Sequence, residues 1–390
     1  MKVLYDYQCF DMQTHGGVSR CFAELYRCLP EEVKAKIGVT ETNNVYLQEL
    51  GFNKAGELYE HFIAGRNFSG KKFLFKLFYN FYYGNYSRWD HWPKHNRDYS
   101  IKLLTDQNFD ILHPTFYGDY FFKYIGNKPF VMTVHDMIPE LYPQYYPRDN
   151  FQILKKKILL PKAAHIIAVS ENTKRDIIRI AHIPEEKISV IYHGADSVSY
   201  KASTTPIFDF PYILYVGDRD MYKNYDLFSQ ECLYILRKYK ELKVVCTGKP
   251  FNAQEESFFK ENGVTNRFIH QFVTTNQMMF DLYHGAEVFV YPSAYEGFGI
   301  PILEAYKSDC LVMLNQASCF PEIAGDAAVY FYMNNHKSDF IEKFEWLYNL
   351  SASEKEGLLQ KQRMRLERFS WEKSAKQLAS VYENVLAKRI

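Results

Sequence analysis

No stretch of this 390-residue sequence approaches the roughly 20 consecutive apolar residues of a membrane-spanning helix, so any meeting with a lipid surface is made from outside it. The opening MKVLYDYQCF carries a single Lys and turns polar within a few residues, which reads as a first strand and not as a signal peptide. Charge of one sign is missing too. With 47 Lys and Arg against 46 Asp and Glu, the net charge is +1. No global field then draws the chain to nucleic acid, and an anionic partner must be recognised locally.

The cysteines are few and unpaired in pattern. Cys9, Cys21, Cys28, Cys232, Cys246, Cys310 and Cys319 are odd in number, scattered, and never form C-x-x-C, which argues against a disulfide framework or a zinc site and for reduced, partly buried thiols in a cytosolic protein. There is no H-E-x-x-H, no Walker loop, no G-x-S-x-G elbow and no D-x-D convincingly set at a strand end for a metal. Neither a metal nor a bound cofactor is expected.

What is present is 47% hydrophobic sequence at a length that favours two cores over one. Short β-branched and aromatic runs alternate with helical patterns. They are KVLYDY (2–7), KIGVTET (36–42), FDILHP (109–114), FVMTVHD (130–136), HIIAVS (165–170) and ISVIYHG (188–194), then YILYVG (212–217), LKVVCTG (242–248), RFIHQF (267–272), VFVYPS (288–293) and LVMLN (311–315). Continuous apolar runs followed by helices indicate parallel strands covered on both faces, so the chain reads as two Rossmann-like, doubly wound α/β domains, residues 1–197 and 205–369, facing a cleft. The Ser-, Thr-, Pro- and Asp-rich stretch 196–211 reads as the linker. Ser370 is a candidate N-cap for a terminal helix over 370–390, which either crosses back to the first domain or lies on the surface as an amphipathic helix.

In open α/β sheets ligands bind beyond the carboxyl ends of the strands, and four features fall there. VFVYPSAYEGFGIPILEA gives a strand, a loop with Gly297 and Gly299, and a helix with Pro301 near its first position, a ready anion site. Glu304 stands one turn inside, too close to suit a phosphate unless it meets neutral hydroxyls, and Glu296 could do the same for a second sugar. Both could equally be solvated acids. YILYVGDRDMYKN ends a strand at Gly217 and offers Arg219 and Lys223 as a metal-free diphosphate clamp, or as loop cations paired with Asp218 and Asp220. Gly16 and Gly17 form a turn into the first helix, weak as a nucleotide signal but permissive of close backbone approach. His135 and Asp136 end one strand, and His193 and Gly194 another; a histidine in such a place serves structure or catalysis.

Together, GGVSR, VHDMIP, AVSENTKRDI, VIYHGAD, LYVGDRDMYKN, the E-x7-E segment EGFGIPILE, PEIAGDAAVYF and FSWEKSA resemble the family 4 retaining glycosyltransferases, with their two-Rossmann B-type fold. The resemblance implies that Arg219 and Lys223 hold the donor diphosphate, that Glu304 binds the nucleotide ribose, and that Glu296 contacts the transferred sugar. It further implies that the backbone of Gly297, Phe298, Gly299 and Ile300 lies beside sugar and phosphate, and that His135 is near the anomeric centre. Gly16, Gly17, Gly217 and His193 would complete the donor pocket. Two departures stand out: KSDCLVMLN follows the E-x7-E helix where the family has a small residue, Gly and Pro-Val, and His193 stands where Asn is common. The donor would be a nucleotide diphosphate sugar, GDP-mannose ahead of UDP-hexoses. The acceptor would be a glycan, polyprenyl-diphosphate-linked in surface polysaccharide synthesis, because basic and aromatic residues interleave in GKKFLFKLFYNFYYGNYSRWDHWPKH (70–95) as suits peripheral contact with an anionic membrane. An epimerase or phosphorylase of the same fold, or a binding module without catalysis, are the alternatives.

Overall fold

The computed structural model describes residues 1–55, 69–71, 73–74, 95–195, 200–219 and 221–388. Its first parallel sheet comes in two three-stranded halves, ordered Lys34–Ile37, Lys2–Tyr5, Ile111–His113 and Val131–Val134, His165–Ala168, Ile188–Val190. A single parallel bridge between Leu112 and Phe130 joins them. The second sheet has six parallel strands in the order Phe268–His270, Lys243–Cys246, Tyr212–Tyr215, Val288–Tyr291, Val312–Asn315, Val329–Phe331. Every residue of the central strands Tyr212–Tyr215 and Val288–Tyr291 is buried, as their unbroken apolar sequence requires. One strand differs from its sequence reading. The run 36–42 is not continuous, because pairing with Lys2–Tyr5 covers Lys34–Ile37 and Glu41–Thr42 pairs instead with Asn53–Lys54.

The linker from 200 to 211 carries no helix or strand among its described residues. Ser370 caps the terminal helix Trp371–Ala387 by accepting the N–H of Lys373. That helix crosses back: Trp371, Ala375, Leu378 and Tyr382 belong to the same core as Val3, Tyr5, Phe22 and Ile37. The Tyr382 hydroxyl lies 2.9 Å from that of Tyr5 and 2.6 Å from Nδ1 of His113, so the helix is fixed by buried polar contacts as well as by apolar packing. All seven cysteines are free. Among the described residues no helix is long and apolar enough to cross a membrane. Most of segment 70–95 lies outside the described residues; of those that are described, Lys71 is buried and Phe73 is exposed.

Gly194 shows how closely the crossing is packed. A Cβ there would stand 2.2 Å from the backbone N of Trp371 and 2.8 Å from the carbonyl carbon of Ser370. Gly194→Ala is therefore expected to destabilise the fold by about 1–3 kcal/mol through overpacking against backbone. Thermal unfolding checks this as a melting point several degrees lower; an unchanged melting point would show that the helix start yields freely.

Candidate active site

The carboxyl ends of both sheets face one cleft of about 820 Å³, lined among others by Gly16, Gly17, His135, His193, Gly217, Lys223, Glu296, Gly297, Phe298, Gly299 and Ile300. Its geometry begins at the end of strand Val288–Tyr291. Gly299 adopts a left-handed conformation, φ 89°, that only glycine takes without strain, and so turns the chain into the helix Ile300–Lys307 with Pro301 in its first turn. Ile300 and Pro301, at that helix start, line the cleft, and the Ile302 N–H is bonded back to the Gly299 carbonyl at 3.0 Å. Ser318 ties the preceding loop down: its hydroxyl lies 2.9 Å from both the N and the O of Glu296. Gly297 is needed for a different reason. A Cβ there would meet the carbonyl oxygen of His135, from the other domain, at 1.8 Å.

The Gly297 carbonyl in turn accepts hydrogen bonds from the hydroxyls of Ser170 at 2.7 Å and Thr173 at 3.3 Å. Ser170 also caps the helix Glu171–Ala181, whose first N–H groups, from Glu171 and Asn172, donate to the Glu322 carboxylate at 2.6 and 3.0 Å. The Tyr295 hydroxyl donates to Asp176 at 2.6 Å. This is the physical content of the AVSENTKRDI motif: a helix start from one domain clasping the glycine loop of the other.

Two of the carboxylates and cations singled out from sequence meet each other. Lys223 Nζ lies 2.6 Å from Glu296 Oε1, with both side chains part-buried in the cleft wall that Tyr291 also lines. Burial, with the Glu296 charge beside it, holds the Tyr291 phenol well above its usual pKa, so it stays a neutral donor. Glu304 does not line the main cleft. It lies in an adjoining cavity of about 50 Å³ that shares Met279 and Ile300 with the cleft, and it pairs with Arg20.

Arg219 departs from expectation. Its guanidinium is paired with Glu255 at 2.5 Å, donates to the Pro250 carbonyl at 2.8 Å and to the Thr247 carbonyl at 3.4 Å, and is stacked over Phe251 and Tyr225. It is not among the cleft-lining residues, and its partner is neither Asp218 nor Asp220. In this structure Lys223 lines the cleft, while Arg219 ties the same loop to the start of the helix Ala253–Glu261.

Across the cleft, burial lowers the His135 pKa to about 4, with Lys156 adding to the shift and Asp136 opposing it. His193 stacks on His135 at 6.0 Å and is likewise held well below the usual value by burial and the neighbouring His135. The Nε2 of His135 is buried and has no hydrogen-bond partner among the described residues. Sequence reasoning missed Phe272, which lines the cleft with 67% of its surface exposed, and Arg20, although GGVSR contains it. An exposed aromatic at the end of RFIHQF was the available signal for the first. Among the described residues no group of three His, Cys, Asp or Glu is placed to hold a metal ion.

The Glycosyltransferase Family 4 model matches residues 15–198, and the Glycosyl transferases group 1 model matches residues 200–385. The chain belongs to this glycosyltransferase family. This glycosyltransferase is similar to the O-antigen chain mannosyltransferase RfbU of Salmonella typhimurium, 29% identical over 232 residues that make up 55% of this chain and 63% of RfbU. Its likeness to O-antigen chain mannosyltransferase B of Escherichia coli is 27% identity over 277 residues, 65% of this chain and 70% of that one. The chain thus spans less than two thirds of RfbU and slightly more of the second relative. Among solved structures, Anabaena HepE in complex with UDP-glucose superimposes with a TM-score of 0.71 at 15% identity, covering 98% of this chain and all of that one, which shows the two-domain B-type fold.

The neutrality of His135 is open to direct measurement. Its folded pKa lies below the unfolded value of roughly 6.5, so the stability gained from a neutral ring is fully present above that pH. It is lost as the pH falls through about 4. NMR titration of the His135 ring is expected to show a midpoint near that lower value; a midpoint in the ordinary histidine range would contradict its burial.

Proposed function

We propose that the protein transfers a hexose from a nucleoside diphosphate sugar to a hydroxyl of a glycan acceptor, with retention at the anomeric carbon and without a metal ion. The observation that carries this reading is the wall formed by the Ile300–Lys307 helix start and the Lys223–Glu296 pair, opposite the unpartnered Nε2 of His135. The pair lets an ammonium and a carboxylate share a part-buried wall. A donor would divide them: its diphosphate takes Lys223 and the helix N–H groups, and the hydroxyls of its sugar take Glu296.

In the transfer, the bond from the anomeric carbon to the diphosphate oxygen breaks and a bond to the acceptor oxygen forms on the same face. The acceptor proton passes to the departing diphosphate. Lys223 and the helix start stabilise the charge that builds on that leaving group, and a neutral His135 offers a hydrogen bond to the sugar without competing as an acid. Mannose from GDP-mannose is favoured as the transferred group by the names of the O-antigen relatives, with UDP-hexoses next. The same names support a role in surface polysaccharide synthesis, and the sequence of segment 70–95 supports a lipid-linked acceptor at the membrane face.

Lys223→Ala is expected to lower donor turnover about a hundredfold or more in a variant that still folds, since one preorganised contact to a developing charge is worth that much. The melting temperature is expected to fall by a few degrees because Glu296 loses its partner. The assay is nucleotide release from GDP-mannose and UDP-hexoses, run in EDTA. Near-normal turnover by the variant would remove Lys223 from the mechanism, and loss of wild-type activity in EDTA would contradict metal independence.

A further inference from the structure

Arg20 stands on the first turn of the helix Gly17–Cys28, its N–H bonded to the Gly16 carbonyl, and therefore belongs to the first domain. Its Nη1 reaches Glu304 Oε1 on the second domain's helix Ile300–Lys307 at 2.6 Å, with side chains only 14% and 26% exposed. The other oxygen, Oε2, accepts from the hydroxyl of the fully buried Tyr283 at 3.3 Å. One carboxylate is thus gripped at both oxygens, from both sides of the domain seam.

A carboxylate presents about four lone-pair directions, two on each oxygen. Arg20 and Tyr283 take one on each, which leaves one on each for further donors. Two acceptor sites held side by side on a fixed carboxylate suit a vicinal diol. The charge balance points the same way. Glu304 lies one turn inside a helix start that faces the cleft, where a bare carboxylate would repel a diphosphate, and a guanidinium at 2.6 Å cancels that repulsion. Arg20 places its cation beside Glu304 in the cavity that adjoins the cleft, whereas Arg219 is paired with Glu255.

We propose, on the basis of the donor reading above, that Arg20 is a positioning residue that fits Glu304 to hold the ribose diol of the donor. It fixes the carboxylate's orientation together with Tyr283 and neutralises it beside the diphosphate. Because it comes from the opposite domain, it also makes recognition of the ribose depend on the two domains being together.

The test is calorimetric titration of the full chain with GDP and UDP and with their 2′-deoxy counterparts. Wild type is expected to bind one ribonucleotide about tenfold more tightly than its deoxy form, the worth of one well-formed hydrogen bond to a charged group. Arg20→Ala is expected to weaken the ribonucleotide and bring that ratio close to one, and Arg20→Lys, which keeps the charge, to restore part of it. Should Arg20→Ala fail to fold, Tyr283→Phe, which frees the other oxygen, is expected to shrink the ratio by itself. A variant that weakens both forms equally, or neither, overturns the proposal, because a plain tie between domains does not distinguish a hydroxyl from a hydrogen. A wild type that binds both forms alike also overturns it, and one that binds no nucleotide overturns the donor reading itself.

Discussion

The approach of the His135 carbonyl to Gly297 is the contact on which the site depends. Any side chain at 297 would place a carbon 1.8 Å from that oxygen, so the seam can close this far only over a glycine. Closure at this point brings the His135 ring opposite the Lys223–Glu296 wall, lets Ser170 and Thr173 bond the Gly297 carbonyl, and sets Gly17 so that a Cβ there would lie 3.4 Å from the Ile300 side chain. None of these contacts lies within one domain. The cleft is a property of the seam, and the terminal helix, packed on the first domain's core after leaving the second, helps to keep it in place.

Charges in the cleft and in its adjoining cavity are arranged as ion pairs. Lys223 with Glu296, and Arg20 with Glu304, each bring opposite charges to about 2.6 Å while part-buried. Removing one partner from such a pair costs more than the pair itself gains, because the remaining charge is left desolvated. A ligand that brings both anionic phosphates and neutral hydroxyls supplies a new partner for every member at once. The buried histidines complement this: burial holds the pKa of both His135 and His193 below the ordinary value, which favours their uncharged forms.

Much of this was legible in sequence because it is local. Unbroken apolar runs located the strands, and Gly299 with Pro301 located the helix start, since backbone geometry and hydrophobic burial act over a few residues. What sequence could not show depends on partners far along the chain. Arg219 looked like a cleft cation next to Lys223 or a partner of Asp218 and Asp220, but the carboxylate it pairs with is Glu255, 36 residues on. Arg20 sat in plain view within GGVSR, yet its partner Glu304 is 284 residues away and on the other domain. The same holds for the terminal helix, whose periodicity showed an apolar face but not that Tyr382 would close a buried network with Tyr5 and His113. The break in 36–42 came from strand pairing, which composition does not encode.

The central claim is that this cleft recognises a sugar joined through a diphosphate to a nucleoside. Calorimetric titration of the intact chain with GDP-mannose and UDP-hexoses, set beside GMP and UMP, tests it most directly. The account predicts that one nucleoside diphosphate sugar binds at least about tenfold more tightly than its monophosphate, because only the former engages both Lys223 and the helix start. Equal affinity for the two, or none for either, would contradict it.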